Sequence, residues 1–237
     1  MQQSAEALAG GEGPAAALDH PIFSESVRLI RGWLGSTGLG PVEQEVLERL
    51  VHSSGDLSLA ADLRFAAGSA CWGVGGGALV SATHDVCGAA LADLAAGATI
   101  LTDTAMAAAA VAPMARRTFG NPVHSVLAWA PDRAPSGGTR TAAGMAGALA
   151  EHPGAVVLIG SAPTALECLL ERVREGAAAP ALVIGMPVGF VGVAESKRHL
   201  AASGLPQIRL EGSRGGAGLV AAAVNALLRR AWLDRLA

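Results

Sequence analysis

From residue 98 onward the hydrophobic pattern is a series of short apolar runs separated by longer amphipathic stretches. The runs at 98–101, 123–128, 155–159, 181–184 and 207–210 have the length of strands and are too short for helices. Residues 104–111, 139–151, 163–174, 194–201 and 217–233 carry helical spacing between or after them. Two further helices are predicted upstream, at 22–33 and 42–52, parted by the breaker-rich GSTGLGP. Short apolar strands alternating with helices predict an α/β fold. The expected form is a single domain with a mostly parallel five-stranded sheet flanked by helices, preceded by a helical N-terminal segment. Ligands of such sheets gather beyond the carboxyl ends of the strands. Those ends carry Thr102-Asp103, Gly160-Ser161, Gly185-Met186-Pro187 and Glu211-Gly212-Ser213-Arg214.

Composition narrows the class. The 237 residues are 51% hydrophobic and 16% charged, which supplies a large core, and abundant Ala and Gly with no Tyr favour close helix–sheet packing. A net charge of -3 without a basic block argues against nucleic acid as a partner. Three cysteines, Cys71, Cys87 and Cys168, fit neither a disulfide framework nor a metal cluster, so a reducing, cytoplasmic setting is expected. Residues 1–19 lack the basic and apolar regions of a signal peptide and are expected to form a flexible leader ahead of a domain at 20–237. Apolar stretches are interrupted before reaching spanning length, so no membrane helix is expected. The Gly-rich stretch 68–84 reads as a mobile loop or short hairpin over a pocket.

The candidate chemistry lies at element ends. In LERLVHSSGD (47–56), Leu47, Leu50 and Val51 have helical spacing and Gly55 is a stop signal, which puts His52 on the last helical turn. The negative end of the helix dipole favours imidazolium there, as suits a proton donor; a plain C-capping histidine is the alternative. GSAPTA (160–165) opens a helix whose amide groups can hold an anion. GMPVGFVGVAESK (185–197) and GSRGGAG (212–218) bring further glycines and Arg214 to the same edge, although glycines also serve simply to make turns. Arg140 stands at a helix start, where the dipole disfavours a cation; an anionic partner or a surface salt bridge would account for it. G-x-S-x-G, the P-loop and helical metal-histidine pairs are absent. Cys168 reads as core, and His20, His84, His124, His152 and His199 as structural or solvent-facing.

Taken together, these stretches resemble the precorrin-8X methylmutase family over almost the whole chain from about residue 20. GMPVGFVGVAESK is the longest match, supported in order by AGATILTD, GGTRTAAGM, GSAPTALECLLE and RGGAGLVAAAVN. The resemblance implies an isomerase that moves a methyl group from carbon 11 to carbon 12 of precorrin-8X, giving hydrogenobyrinate, or of its cobalt-containing form. It implies a homodimer, with no cofactor and no metal. By the same carry-over His52, in V-H-x-x-G, is the catalytic proton donor, Arg140 belongs with it, and Ser26 meets the substrate. The rim then supplies Asp103, Thr139, Ser161, Gly185, Met186, Pro187, Gly189, Arg214, Gly215, Gly216 and, further on, Asn225. The chain departs from the family pattern at Ala105, Ala109, Gly138 and Ser161, and segment 68–84 resembles an insertion. A corrinoid-binding paralogue without mutase activity is the alternative these departures leave open.

Overall fold

In the computed structural model, which describes residues 18–68 and 86–237, the most apolar runs form the middle of the sheet. β4 (Val156–Ile159) and β5 (Leu182–Gly185) are buried along their whole length. Alternate residues serve opposite faces. Val156 and Leu158 join one core with Leu182, Ile184 and Ile208, whereas Val157 and Ile159 join a second with Leu101 and Val183. A strand covered by helices on both sides has no polar face to offer, which is why these runs show no alternation.

Among the described residues the strand order is β1-β6-β5-β4-β2-β3, with β1 at Leu63–Ala66, β2 at Ile100–Thr102, β3 at Val123–Ser125 and β6 at Gln207–Leu210. Pairing is parallel except at the edge, where β1 runs antiparallel to β6 with Leu63 opposite Leu210. The sheet therefore has six strands rather than five. β1 eluded the sequence pattern because it is four residues long and only Leu63 is buried.

The helices are α1 (Pro21–Leu34), α2 (Pro41–Ser54), α3 (Val86–Ala95), α4 (Ala105–Arg117), α5 (Arg140–Glu151), α6 (Pro163–Arg174), α7 (Val193–Ala202) and α8 (Ala217–Leu236). α8 is the hub of one face and packs against α2, α3 and α4; α6 packs on α5 and α7 on the other. Ala221, Ala222, Ala223 and Ala226 are all buried on α8, and their small side chains admit helices on several sides.

Three local expectations change. The 123–128 run divides into β3 and a 3₁₀ turn at Val126–Trp129. The 104–111 helix continues through Pro113 to Arg117. α3 (VCGAALADLA) was unforeseen because its small apolar residues carry little periodicity. Most of the expected leader, nearly all of segment 68–84, and His84 lie outside the described residues.

The connections define the site. From β2 the chain moves outward to β3, crosses back to β4 on the other side of β2, and continues outward through β5 and β6. The order reverses between β2 and β4, so a crevice opens beyond their carboxyl ends.

Gly144 shows how tightly the second face is packed. A Cβ there would lie 2.1 Å from the Val126 carbonyl oxygen. Gly to Ala inside a helix ordinarily gains about 0.5–1 kcal/mol. Here backbone stands in the way, and overpacking costs about 1–3 kcal/mol. Gly144→Ala is therefore expected to lower the urea midpoint, and an equal or higher midpoint would show that α5 retreats from the turn at no cost.

Candidate active site

His52 lies on the last turn of α2, which Gly55 closes in the left-handed conformation (φ 70°) as its N–H donates to Val51. The side chain reaches α1. Its Nδ1 and Ser26 Oγ share a hydrogen bond of 2.8 Å, and its ring meets the Phe23 ring edge-on at 5.0 Å. Phe23 and Ser26 are three residues apart, hence on one face of α1. That face is held against α2 by a bidentate pair in which Arg31 Nε and Nη2 each donate to Glu48 at 2.8 Å. Glu48 is buried and also accepts from Gln44. A buried carboxylate left without its arginine is costly, so the pair fixes how the two helices meet.

The charge of His52 differs from the expectation. Burial first, and the nearby charge of Arg49 second, push its pKa below the ordinary 6.5. The helix dipole, worth about 0.3–1 kcal/mol, acts the other way. Burial and Arg49 both act against the imidazolium form.

The rim residues are arranged otherwise than the sequence suggested. Asp103, at the end of β2, is fully buried, and its Oδ2 accepts from Gly160 (3.1 Å), Ser161 (2.6 Å) and Ala162 (2.8 Å). The amides that open α6, offered by the sequence to a substrate anion, are thus filled by the chain's own carboxylate. Burial pushes the Asp103 pKa up even though the three amides pull it down. Asp103 therefore ties β2 to β4 across the crevice and does not present its carboxylate to a ligand.

The next two loops are stitched together. Gly216 N–H donates to Met186 O (2.9 Å), and Gly189 N–H to Ser213 O (3.1 Å). Gly215 permits this approach, since a Cβ there would sit 1.9 Å from Met186 O. Gly185, Met186 and Pro187 are buried, so they shape the rim from behind. Lys197, buried on α7, donates to Gly212 O (2.9 Å) and Arg214 O (2.6 Å), and burial lowers its pKa to about 8.

Arg214 is a further correction. Its guanidinium is held by Asp56 (2.7 Å), Ser58 (2.5 Å) and Asp62, all on the segment that follows His52. It is a clamp rather than a cation waiting for substrate. Asn225 lies on the α4 side of α8, where its Nδ2 donates to Ala110 O (3.1 Å).

Arg140 begins α5 and is exposed, with Nε donating to Pro131 O (2.8 Å). Thr139 caps that helix through Ala142 N–H, and its Oγ1 lies 2.8 Å from Thr164 Oγ1. Ser161 is half-buried beside them. Among the described residues no contact joins this group to His52, and no cluster of three or more metal-ligating side chains forms. Sequence reasoning missed Phe23, Arg49 and Lys197. Phe23 and Arg49 stand three residues before Ser26 and His52, a helical spacing that carries the signal.

Comparison with known proteins bears on this arrangement. Residues 21–230 match the family model for precorrin-8X methylmutase (CbiC). The cobalt-precorrin-8 methylmutase of Synechocystis is 38% identical over 224 residues, covering 92% of this chain and 98% of that protein. The precorrin-8X methylmutase of Pseudomonas aeruginosa is 39% identical over 211 residues, covering 87% and 93%. The crystal structure of the precorrin-8X methylmutase from Thermus thermophilus superposes with a TM-score of 0.75 at 38% identity, covering 90% of this chain and 98% of that one. A family-model match over residues 21–230, relatives 38–39% identical over nearly their full length and a shared fold make this chain a member of the precorrin-8X methylmutase family of cobalamin-biosynthetic isomerases.

Proposed function

We infer that the protein moves the methyl group of precorrin-8X, or of its cobalt-containing form, from carbon 11 to carbon 12, giving hydrogenobyrinate or its cobalt equivalent. The contact between Ser26 Oγ and His52 Nδ1 carries this reading. It fixes the imidazole by one nitrogen and leaves Nε2 for a ligand, on a side chain that is otherwise exposed. In the shift the bond from carbon 11 to the methyl group breaks as the bond to carbon 12 forms, and substrate and product are isomers. Nothing in that exchange calls for a nucleophile or a hydride. What helps is a proton lent to the macrocycle while its conjugation rearranges and taken back afterwards.

A neutral imidazole must be charged before it can lend a proton, and a polyanionic ligand supplies the means. Carboxylates brought near His52 favour imidazolium, so substrate arms its own acid. Arg140, Thr139 and Ser161 form a second polar group on the rim, suited to peripheral carboxylates. Phe190 and Val191 on the loop after β5 are 95% and 89% exposed, an apolar surface consistent with a homodimer. The cytoplasm is the compartment proposed.

Incubation of the protein with precorrin-8X is expected to give a progressive absorbance change, whereas a corrinoid binder without mutase activity gives only a stoichiometric one. His52→Ala should lower kcat by roughly 10²–10⁴-fold while corrinoid binding persists; turnover at the parental rate would remove the acid role. Because the acid form is required and the free imidazole titrates below 6.5, kcat/KM should fall as pH rises through a value below 6.5. A limb above 6.5 that His52→Ala abolishes would contradict this.

A further inference from the structure

The antiparallel edge of the sheet carries a polar strip on the side of α7, away from α2 and His52. Ile208 and Leu210 of β6 join the core beneath α8, so Gln207, Arg209 and Glu211 take the opposite face. The register sets Arg64 of β1 directly across from Arg209, and like charges so placed repel. Between this strip and α7 lies a cavity of about 320 Å³. Its lining includes Ala194, Lys197, Arg198 and Ala201 from α7 and Arg209 and Glu211 from the strip. The four α7 residues have the spacing of one helical face, and the two alanines leave room beside the cations.

The charges here do not balance. Glu211 is shared, with one oxygen 3.0 Å from Arg64 Nη2 and the other 3.5 Å from Arg209 Nη2. Gln207 Oε1 accepts from Arg209 Nη1 at 3.4 Å. Both contacts of Arg209 are long beside the 2.6 Å of Arg229 to Asp19 or the 2.8 Å of Arg31 to Glu48. Yet the Arg209 side chain is only 14% exposed. Burial lowers its pKa, and Arg64 adds to the shift against the pull of Glu211. A guanidinium has five N–H donors and stays charged in a protein, so removing it from water with its acceptors at the limit of range is costly. Arg198 is exposed and makes no ion pair or hydrogen bond among the described residues. Lys197 adds less, since the Gly212 and Arg214 carbonyls engage its ammonium. Arg64, Arg198 and Arg209 thus share one carboxylate, and two positive charges stay unbalanced.

We propose that this cavity is a phosphate site, in which Arg198 and Arg209 together hold a phosphate group and Glu211 is left to Arg64. A phosphate carries about -1.5 to -2 charges near neutral pH and three free oxygens, enough to meet two guanidinium forks at once. A single carboxylate matches neither the charge nor the number of donors. The volume is at the small end of the roughly 300–1,000 Å³ of ligand pockets, which suits free phosphate or a short phosphate monoester. The site faces away from His52, and it stands whether or not the chain moves a methyl group.

The test is calorimetric titration with inorganic phosphate and with glycerol 3-phosphate, at an ionic strength fixed with chloride. It compares the parent with Arg198→Gln, Arg209→Gln and Arg174→Gln, the last an exposed arginine outside the cavity. Saturable binding at one site per chain is expected in the parent and in Arg174→Gln. Arg198→Gln and Arg209→Gln should each weaken it about tenfold or more. Arg198 is exposed, so its variant decides the matter even where Arg209→Gln fails to fold, which thermal melting detects. Tighter binding of the ester assigns the site to a phosphorylated small molecule, and tighter binding of phosphate assigns it to the free ion. A parent that binds neither anion above the chloride background, or an Arg198→Gln variant that binds with parental affinity, overturns the proposal.

Discussion

The guanidinium of Arg214, gripped by Asp56 and Asp62, is the contact on which the geometry of the site depends. It joins the segment leaving the His52 helix to a loop at the strand-end rim. That loop is held in turn by Lys197 from α7 and by the glycine contacts to Met186 and Ser213. The Arg214–Asp56 pair is more than a third exposed on both sides, so solvent screens it and it contributes little stability. Its consequence is positional: a drift of the end of α2 from the rim separates charges at two points.

A different balance sets the chemistry of His52. The helix end favours a positive ring, whereas burial and the charge of Arg49 lower its pKa. α1 turns Phe23 and Ser26 toward the imidazole, neither of them charged, and Asp56 beyond the helix end is engaged by Arg214. Arg49 is therefore the charge that a bound carboxylate would cancel. On this account the empty site disfavours the charged acid and a bound carboxylate favours it, which ties proton delivery to the presence of substrate.

Much of the architecture was legible from residue spacing, because β4 and β5 are buried on both faces and leave an unbroken apolar record. The edge was less so, since β1 depends on pairing with β6, more than a hundred residues later, rather than on its own pattern. The same limit governed the site. His52 could be placed at a helix end from LERLVHSSGD, and Asp103 at a strand end, but the partners of Asp103 lie 57–59 residues downstream and those of Arg214 more than 150 upstream. Residue type announced an acid and a base at the rim, and only three-dimensional neighbours reveal that Asp103 Oδ2 and the Arg214 guanidinium are engaged within the protein. The sign of the His52 shift was hidden for a similar reason: the dipole is local and readable, whereas the contacts with α1 that partly desolvate the ring are tertiary.

Isotope-edited NMR of the His52 ring nitrogens across a pH titration, with and without bound hydrogenobyrinate, tests the central claim most directly. The account predicts a pKa below 6.5 in the empty protein and a clear rise on binding. An empty-site value above 6.5, or a value that the ligand leaves in place, would contradict it.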